Sequence, residues 1–250
     1  MFDISSTQKT QIKSLVRASQ EDTSRELEVL IHNTKLTKNL FEKIYARLKN
    51  LTKKGMFTLS PETTVLDISP LLLNKRTNTY YNDMRFSVGG IGSVKQYCQT
   101  NDINKVKHTV IRKNRAQDVK GNFYNPVKVF DYNIRFNLKT EKDISNLKQT
   151  REVEGEWNEY LKDFRYKKRY SFVSKDKLFS IDLTCVKSSN FNNRRPINKK
   201  RTLQESGTLE SKETYEVEIE FLNPKKGKSK DVTVDKIFGN FFKNILIILQ

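Results

Sequence analysis

The sequence is poor in the residues that build disulfide frameworks and zinc sites. Its 250 residues include two cysteines, Cys98 and Cys185, and two histidines, His32 and His108. Two isolated thiols form no disulfide framework and are typical of proteins from a reducing compartment. Because no histidines and cysteines stand at zinc-type spacing, any metal ion that the chain binds must be held by oxygen atoms.

Long apolar runs are missing as well. No stretch approaches the roughly 20 apolar residues that a membrane-spanning helix needs, and the apolar tail 245–249 is far shorter. The first residues also lack the charged and then apolar layout of a secretion signal. We therefore expect an intracellular, cytoplasmic protein that is not secreted and has no membrane partner.

Acidic residues are scarce relative to basic ones. The chain has 47 Lys and Arg against 29 Asp and Glu, a formal net charge of +18. This excess favours a polyanionic partner, such as nucleic acid, polyphosphate or an acidic membrane face, over a surface charged for solubility alone. The positions of the charges have to decide between these alternatives.

The hydrophobic pattern predicts a mostly β protein of the α+β type. Residues 25–31 alternate between acidic and aliphatic side chains, as strands do, and residues 34–54 show helical spacing up to Gly55. From Phe57 onward the period is two, with turn-prone residues between the runs. These runs predict strands at 57–60, 63–68, 79–88, 105–115, 127–139, 165–174, 177–187 and 214–222. Many strands with few helices indicate a barrel or a strongly curved antiparallel sheet.

The remaining segments are predicted to be helices or loops. The glycines at 89–92 precede a short helix, residues 141–163 are partly helical, and 188–213 form a mobile loop. We divide the chain into a lead-in segment at 1–23, a single domain at 24–222, and a basic linker with a C-terminal packing helix at 223–250.

Two strand-like segments carry rows of carboxylates. Glu26 and Glu28 alternate with aliphatic residues, and so do Glu216, Glu218 and Glu220. Residues two apart in a strand share a face, so each segment presents a charged side and an apolar side. Stacked carboxylates repel each other, and a cation between them removes that repulsion; Mg²⁺ and Mn²⁺ prefer such oxygen ligands. The alternative is the solvated outer face of an ordinary sheet.

Basic residues form separate rows with the same period. Acid-only and base-only rows on different strands predict two complementary walls, one for a metal ion and one for a highly charged anion, because Arg and Lys bind phosphate oxygens. The basic candidates are Arg85, Lys113 with Arg115, Arg135 with Lys139, and the row Arg165, Lys167 and Arg169; Asp182 and Thr184 share a face on a neighbouring strand.

The order of these motifs resembles the triphosphate tunnel metalloenzymes, and among them the metal-dependent RNA 5′-triphosphatases of fungi, protozoa and large DNA viruses. R-E-L-E-V-L-I is similar to the first glutamate motif of that family and Y-E-V-E-I-E-F to its last. Between them, R-Y-K-K-R-Y-S-F and F-S-I-D-L-T are similar to the basic strand and to the D-x-T strand. The resemblance extends over residues 24–222.

The resemblance implies an eight-stranded antiparallel β-barrel that forms a hydrophilic tunnel, with flanking helices as its cover. It implies metal ligands for Mg²⁺ or Mn²⁺ at Glu26, Glu28 and Glu220. Catalytic roles fall to Glu216, Glu218, Arg165, Lys167, Arg169 and Asp182. Contacts with substrate phosphates fall to Arg85, Lys113, Arg135, Lys139, Thr184 and Glu141.

The implied activity is removal of the γ-phosphate of 5′-triphosphate RNA in mRNA cap formation, with hydrolysis of NTPs as well. Leu30 stands where the small-molecule branch has the lysine of E-x-E-x-K, which favours the RNA branch. Two alternatives stay open: a small-molecule triphosphatase or polyphosphatase on the same fold, and a basic RNA-binding β-domain without enzyme activity.

The implied partners are 5′-triphosphate RNA and a capping guanylyltransferase, either fused to the chain or separate. The K-x-D-G nucleophile motif of that enzyme does not occur in the sequence. The Lys- and Asn-rich composition is typical of an AT-rich genome and favours a large DNA virus as the source, which would locate the protein in a viral factory or a virion.

Overall fold

The computed structural model describes residues 4–31, 36–74, 76, 79–189, 200–223 and 232–249. Within these ranges the chain forms five α-helices and twelve β-strands. The helices are α1 (Ser6–Glu21), α2 (Lys38–Lys53), α3 (Ile91–Thr100), α4 (Lys148–Gly155) and α5 (Val234–Leu249). The strands are β1 (Arg25–Ile31), β2 (Phe57–Leu59), β3 (Thr63–Pro70), β4 (Leu72–Asn74), β5 (Thr79–Tyr81), β6 (Arg85–Gly89), β7 (His108–Arg115), β8 (Val127–Val129), β9 (Ile134–Asp143), β10 (Lys162–Ser174), β11 (Phe179–Ser188) and β12 (Thr214–Phe221).

Eight of these strands close into an antiparallel barrel. Their order around the barrel is β1-β12-β11-β10-β3-β6-β7-β9, and β9 closes the ring by pairing with β1. The short β2 and β8 pair with β10 and β9, and β4 and β5 form a separate hairpin. The expected eight-stranded antiparallel barrel with flanking helices is therefore confirmed.

The barrel is polar inside and apolar outside. On β12, Val217, Ile219 and Phe221 are buried beneath the helices, so the glutamates that alternate with them face the interior. This inverts the common arrangement, in which a small barrel fills its interior with apolar side chains. Helices on the outside are needed because the strands would otherwise expose their apolar faces to water.

Helices α1 and α5 cover the outer face around β9, β11 and β12. Phe241 of α5 contacts the rings of Phe136 and Phe179, with centroids 5.6 and 4.9 Å apart. Ile12 and Val16 of α1 are fully buried in the same core. None of the described helices combines the length and the apolar character that a bilayer crossing needs.

Helix α2 covers another part of the outer face, within the 34–54 segment for which the sequence predicts a helix. Ile44 and Leu48 of its apolar stripe are buried. Gly55 follows with φ of +70°, and its N–H donates to the carbonyl of Thr52 at 2.9 Å. A positive φ at this position is the usual helix ending, so the predicted C-terminal glycine is confirmed.

A second core lies outside β3 and β6, beneath α3 and α4. Trp157 packs there against Phe86, and its Nε1–H donates to the hydroxyl of Tyr97 at 3.2 Å. This core also contains Leu203, which is 2% exposed. The prediction of a mobile loop over 188–213 is thus wrong for 200–213, because a buried leucine fixes this segment to the barrel; 190–199 lie outside the described residues.

Three strand predictions need correction. The run 79–88 divides into β5 and β6, and only β6 joins the barrel. The run 127–139 divides into β8 and β9 around a 3-10 turn, where Asn133 has φ of +50° and interrupts the extended backbone. The run 105–115 begins as a 3-10 turn at Ile103–Lys105 and becomes a strand at His108.

The packing of α5 predicts a large loss of stability for Phe241→Ala. Removing a fully buried aromatic ring leaves a cavity and should lower the free energy of unfolding by about 3–5 kcal/mol. Leu246→Ala on the same helix is the control, because Leu246 is 39% exposed, and its effect should stay below about 1 kcal/mol. Chemical denaturation measures both. Equal effects of the two variants would show that α5 does not pack as described.

Candidate active site

The barrel encloses a cavity of about 340 Å³ whose lining is almost entirely charged. Seven carboxylates and six cationic side chains face it. The carboxylates are Glu26, Glu28, Asp67, Glu141, Glu216, Glu218 and Glu220; the cations are Arg85, Lys113, Lys139, Arg165, Lys167 and Arg169; Thr63, Val65 and Ser87 complete the lining. A site of this kind is suited to a small, highly charged ligand.

The carboxylate rows from the two ends of the chain meet in one wall of this cavity. Strands β1 and β12 are antiparallel neighbours, with Glu28 directly opposite Glu220. Directly opposed residues in an antiparallel pair have Cβ atoms about 4.5–5.5 Å apart. Glu26 lies two residues from Glu28 on β1, and Glu218 lies two residues from Glu220 on β12. The two rows therefore form one acidic floor, which consists of Glu26, Glu28, Glu216, Glu218 and Glu220.

Two lysines neutralise the β1 side of this floor. The ammonium of Lys113 contacts the carboxylate of Glu26 and lies 3.4 Å from that of Glu28. Lys139 forms an ion pair with the other oxygen of Glu28, and the amide of Asn137 donates to that oxygen at 3.4 Å. Each carboxylate on β1 is therefore held by a cation from β7 or β9.

The basic row of β10 pairs with acids of β11 and β12. Arg165 donates to Glu216 at 2.6 Å. Arg169 lies 3.1 Å from the carboxylate of Asp182 and 3.6 Å from that of Glu218, and its Nε–H donates to the hydroxyl of Thr184 at 3.3 Å. The acidic and basic walls predicted from the sequence thus contact each other directly.

Asp67 on β3, which was not among the residues predicted from the sequence, is 4% exposed. Its carboxylate forms an ion pair with Lys167, accepts a hydrogen bond from Ser87 at 2.7 Å and lies 3.8 Å from Nε of Arg85. The sequence does contain a signal for it, an acidic residue between two aliphatic ones: Leu66 and Ile68 flank Asp67. Asp182 has the same kind of neighbours, Ile181 and Leu183. Asp67 thereby connects the basic row of β10 to the arginine of β6.

Three predicted residues do not line the cavity itself. Asp182 and Thr184 are buried on β11, behind Arg169. Arg135 has the same parity on β9 as Lys139 and Glu141 but lies beyond the lining, and its Nε is buried without a hydrogen-bond partner among the described residues. Arg135 therefore lies farther along the tunnel than the cavity lining, because strand parity determines the face of a residue and not its position along the tunnel. Its contact with substrate phosphates stays a prediction.

The crowding of carboxylates changes their proton affinities. Burial, together with the charges of Glu26 and Asp182, raises the pKa of Glu220 to about 7. Burial and the charge of Glu28 also raise the pKa of Glu218. These shifts indicate that the acidic floor holds more negative charge than the surrounding cations compensate.

Glu141 and Glu26 share a hydrogen bond across β9 and β1. Burial and the contact with Glu26 raise the pKa of Glu141 to about 7. Burial acts in the same direction on Glu26, but the hydrogen bond from Glu141 and the charge of Lys113 bring the pKa of Glu26 below its usual value. Of the two, Glu141 therefore carries the proton. Arg85 holds Glu141 from the other side, at 3.0 Å.

The cations respond to the same environment in two ways. Burial acts to lower the pKa of Lys113, but the charges of Glu28 and Glu26 raise it overall. The same balance raises the pKa of Arg169 beside Asp182 and Glu218. For Lys167, burial and the nearby charges of Arg165 and Arg85 lower the pKa in spite of Asp67. Burial and the neighbouring cations therefore disfavour the charged form of Lys167, and an added anion nearby would oppose both effects.

The donor set of the acidic floor fits a hard divalent cation. Carboxylate oxygens are the ligands that Mg²⁺ and Mn²⁺ take, and the raised pKa of Glu220 indicates uncompensated negative charge at that point. Among the described residues, however, no three acidic, cysteine or histidine side chains converge as a formed metal site. Lys113 and Lys139 hold the oxygens of Glu26 and Glu28 instead.

Comparison with known proteins identifies a family for the chain and similar folds among solved structures. The family model described as "mRNA capping enzyme, beta chain" (mRNA triphosphatase) matches residues 32–248. The RNA triphosphatase domain of a trifunctional mimivirus mRNA capping enzyme has a TM-score of 0.63 at 18% identity, over 99% of this chain and 100% of that chain. A second structure of the mimivirus capping enzyme triphosphatase has a TM-score of 0.64 at 20% identity, over 99% of both chains. The S. pombe RNA triphosphatase Pct1 has a TM-score of 0.48 at 15% identity, over 99% of this chain and 94% of that chain. No curated protein sequence matches the chain.

A closed barrel with a charged interior defines the chain as a triphosphate tunnel protein. Because the family model covers most of its length, the chain belongs to the mRNA triphosphatase family, the beta chain of the mRNA capping enzyme. It is accordingly a hydrolase of the RNA 5′-triphosphatase class. At 18–20% identity the mimivirus structures support the fold.

The raised pKa of Glu220 predicts that Glu220→Gln stabilises the metal-free protein at neutral pH. The folded pKa of about 7 exceeds the ordinary value of 4.5, so the folded state holds a proton that the unfolded state loses. The contribution of Glu220 to the free energy of unfolding is therefore fully present below pH 4.5 and is lost as the pH rises through about 7. Glutamine has no charge to bury at neutral pH. The free energy of unfolding of the variant should therefore exceed that of wild type by on the order of 2–3 kcal/mol at pH 7.5.

The measurement is urea denaturation in chelator at pH 5.0 and 7.5. Glu216→Gln is the control, because Glu216 is paired with Arg165 at 2.6 Å and its replacement should bring no gain. A Glu220→Gln variant that is no more stable than wild type at pH 7.5 would contradict the crowding of charge in the floor.

Proposed function

We propose that this RNA 5′-triphosphatase removes the γ-phosphate of 5′-triphosphate RNA inside the tunnel, with Mg²⁺ or Mn²⁺ bound to Glu26, Glu28 and Glu220. The observation that carries the proposal is the meeting of the first and last strands. Glu28 lies opposite Glu220 on the floor of a cavity whose other walls carry six cations. The family supplies the reaction class, and this geometry supports the assignment of residues.

The cations of the tunnel would bind the triphosphate by exchanging partners. Arg165, Lys167 and Arg169 now pair with Glu216, Asp67 and Asp182. A phosphate chain brings several negative charges and offers stronger acceptors, since charge-assisted bonds from arginine to phosphate are often bidentate. Thr184, which accepts from Nε of Arg169, would keep that guanidinium oriented behind the substrate, and Asp67 and Asp182 would stay close to the cations that they release.

The acidic floor would accept the metal ion by a similar exchange. Glu26 and Glu28 would turn from Lys113 and Lys139 towards the metal, and Glu220 would lose its proton. A divalent cation in such a site neutralises charge on the phosphate and helps to place the nucleophile. The two lysines released from the floor would be free to bind phosphate oxygens.

The chemical step is an in-line displacement at the γ-phosphorus. A water oxygen forms the new bond to phosphorus while the bond to the β–γ bridging oxygen breaks, which yields phosphate and a 5′-diphosphate RNA. Glu218 is the best candidate to orient this water and accept its proton, because its pKa is raised and it faces the cavity. Glu216 is less suited, since Arg165 engages its carboxylate.

The proposal predicts that Glu28→Ala abolishes divalent-dependent phosphate release. Loss of a charge at this position should lower kcat at least about 100-fold, the scale seen when one charge-stabilising group is removed from an active site. The measurement is Mn²⁺-dependent release of labelled γ-phosphate from 5′-triphosphate RNA. The thermal stabilisation by Mn²⁺ seen with wild type should disappear in the same variant.

Glu42→Ala on the exposed side of α2 is the matched control and should retain activity within about twofold, as expected for a surface substitution. Wild-type turnover by Glu28→Ala would remove Glu28 from the metal site.

A small-molecule triphosphatase or polyphosphatase on the same fold is the second candidate. The same cavity would accept NTPs or tripolyphosphate, since its lining, among the described residues, offers cations for phosphate groups and no aromatic side chain on which a base could stack. Comparing kcat/KM for 5′-triphosphate RNA, an NTP and tripolyphosphate separates the two. The RNA assignment requires the highest value for RNA, and the net charge of +18 favours it.

The capping partner belongs to the same proposal. The mimivirus enzyme whose domain resembles this chain is trifunctional, and a 5′-diphosphate RNA end is the substrate that a guanylyltransferase would take. A guanylyltransferase, fused or separate, and a cytoplasmic or viral-factory location are therefore proposed with the activity.

A further inference from the structure

The tunnel face of the barrel continues beyond the cavity as a row of cations. On the wall made by β7, β8 and β9, Arg115 lies directly opposite Lys139, and Lys128 lies directly opposite Arg135. Directly opposed residues of an antiparallel pair project to the same side, and Lys139 lines the cavity. Since Val127 and Val129 are buried in the outer core, Lys128 must face away from that core, as the tunnel residues do.

Two exposed aromatic rings accompany these cations. Phe123 is 53% exposed, with the Arg115 guanidinium 5.0 Å from its centroid, and Phe130 is 75% exposed, with the Lys128 ammonium 5.9 Å from its centroid. Neither ring belongs to either hydrophobic core. We call Arg115, Phe123, Lys128 and Phe130 the aromatic–cation surface.

The backbone that carries this surface is held in place by hydrogen bonds. Arg115 donates to the side-chain oxygen of Asn125 at 2.9 Å, and Gln8 of α1 donates to the carbonyl of Lys128 at 3.0 Å. In the loop between them, Asp118 accepts from the N–H groups of Lys120 and Asn122. A surface held in this way loses little conformational freedom on binding. The carboxylate of Asp118 is thus occupied by the loop itself.

We propose that the aromatic–cation surface binds the first nucleotides of the single-stranded RNA whose triphosphate lies in the cavity; this inference rests on the proposed function. Single-stranded RNA is recognised by aromatic rings that stack on its bases and by cations that bind its phosphates. Each phenylalanine–cation pair offers one ring on which a base can stack and one cation that can bind a phosphate. The five residues of β9 from Arg135 to Lys139 span about 13 Å, so the surface begins within a few nucleotides of the cavity.

An acidic protein is a weaker fit. Acidic side chains would pair with Arg115 and Lys128, but they would leave two exposed phenylalanine rings without a matching group. The position at the end of the tunnel face also favours a ligand that is already tethered in the cavity, because tethering raises its effective concentration.

The test uses the double variant Phe123→Ala/Phe130→Ala of the full chain and a labelled 5′-triphosphate RNA of about ten nucleotides. Fluorescence anisotropy should show a Kd at least about fivefold higher than that of wild type, the lower end expected for losing stacked bases. In phosphate release the KM for this RNA should rise while kcat stays unchanged, because the cavity is untouched. Ile91→Ala is the matched control, being equally exposed at 53% on α3, and should leave Kd unchanged.

A second variant tests the cations. Lys128→Gln should reduce the slope of log Kd against log salt concentration by about 0.7, as expected for one phosphate contact with a single strand. Lys49→Gln on α2, another exposed lysine beside an aromatic ring, should leave the slope unchanged.

The outcomes separate this inference from the proposed function. If wild type releases phosphate from RNA and the double variant binds RNA with wild-type affinity, the inference is overturned and the proposed function stands. If wild type releases no phosphate, the proposed function fails. Wild-type RNA affinity in the double variant together with an unchanged salt slope in Lys128→Gln would assign the surface to another partner.

Discussion

The structure depends on the mutual neutralisation of charges that are buried inside a barrel. Seven carboxylates and six cations share one cavity, where the low local dielectric makes every unpaired charge unfavourable. Pairs such as Lys113 with Glu26 and Arg169 with Asp182 keep the walls in position. A barrel with this charged interior is stable because the apolar faces of its strands point outward, where α1, α2 and α5 bury them.

Mutual pairing also prepares the site for its ligands. Burial and the charges of Glu26 and Asp182 raise the pKa of Glu220 on the floor, and burial with the charges of Arg165 and Arg85 lowers the pKa of Lys167 on β10. In both places burial and like charges disfavour the charged form of the side chain. A divalent cation and a phosphate chain would relieve these two imbalances together. In this account, substrate and metal replace contacts that already exist and need no new geometry from the backbone.

Much of this arrangement could be predicted from the sequence, because period-two alternation determines which face of a strand a residue occupies. For that reason the sequence predicted the carboxylate rows that begin at Glu26 and Glu216 and the basic row that begins at Arg165. Their meeting in one wall was not predicted by alternation, since strand closure depends on tertiary pairing; the family resemblance supplied it. Asp67 was missed because a single acid in a strand gives no row. Alternation also could not show that Arg135 lies beyond the cavity lining, because it does not give the position of a residue along a tunnel. The segment 200–213 has the composition of a loop, and its composition does not show that Leu203 and Thr208 are buried.

The most direct test of the central claim is to locate a bound metal ion. Crystals of the protein soaked in Mn²⁺ would give an anomalous diffraction peak at the metal. The account predicts one strong peak on the tunnel floor, within bonding distance of carboxylate oxygens from Glu26, Glu28 and Glu220. A peak elsewhere, with Lys113 and Lys139 still paired to the two β1 glutamates, would contradict it.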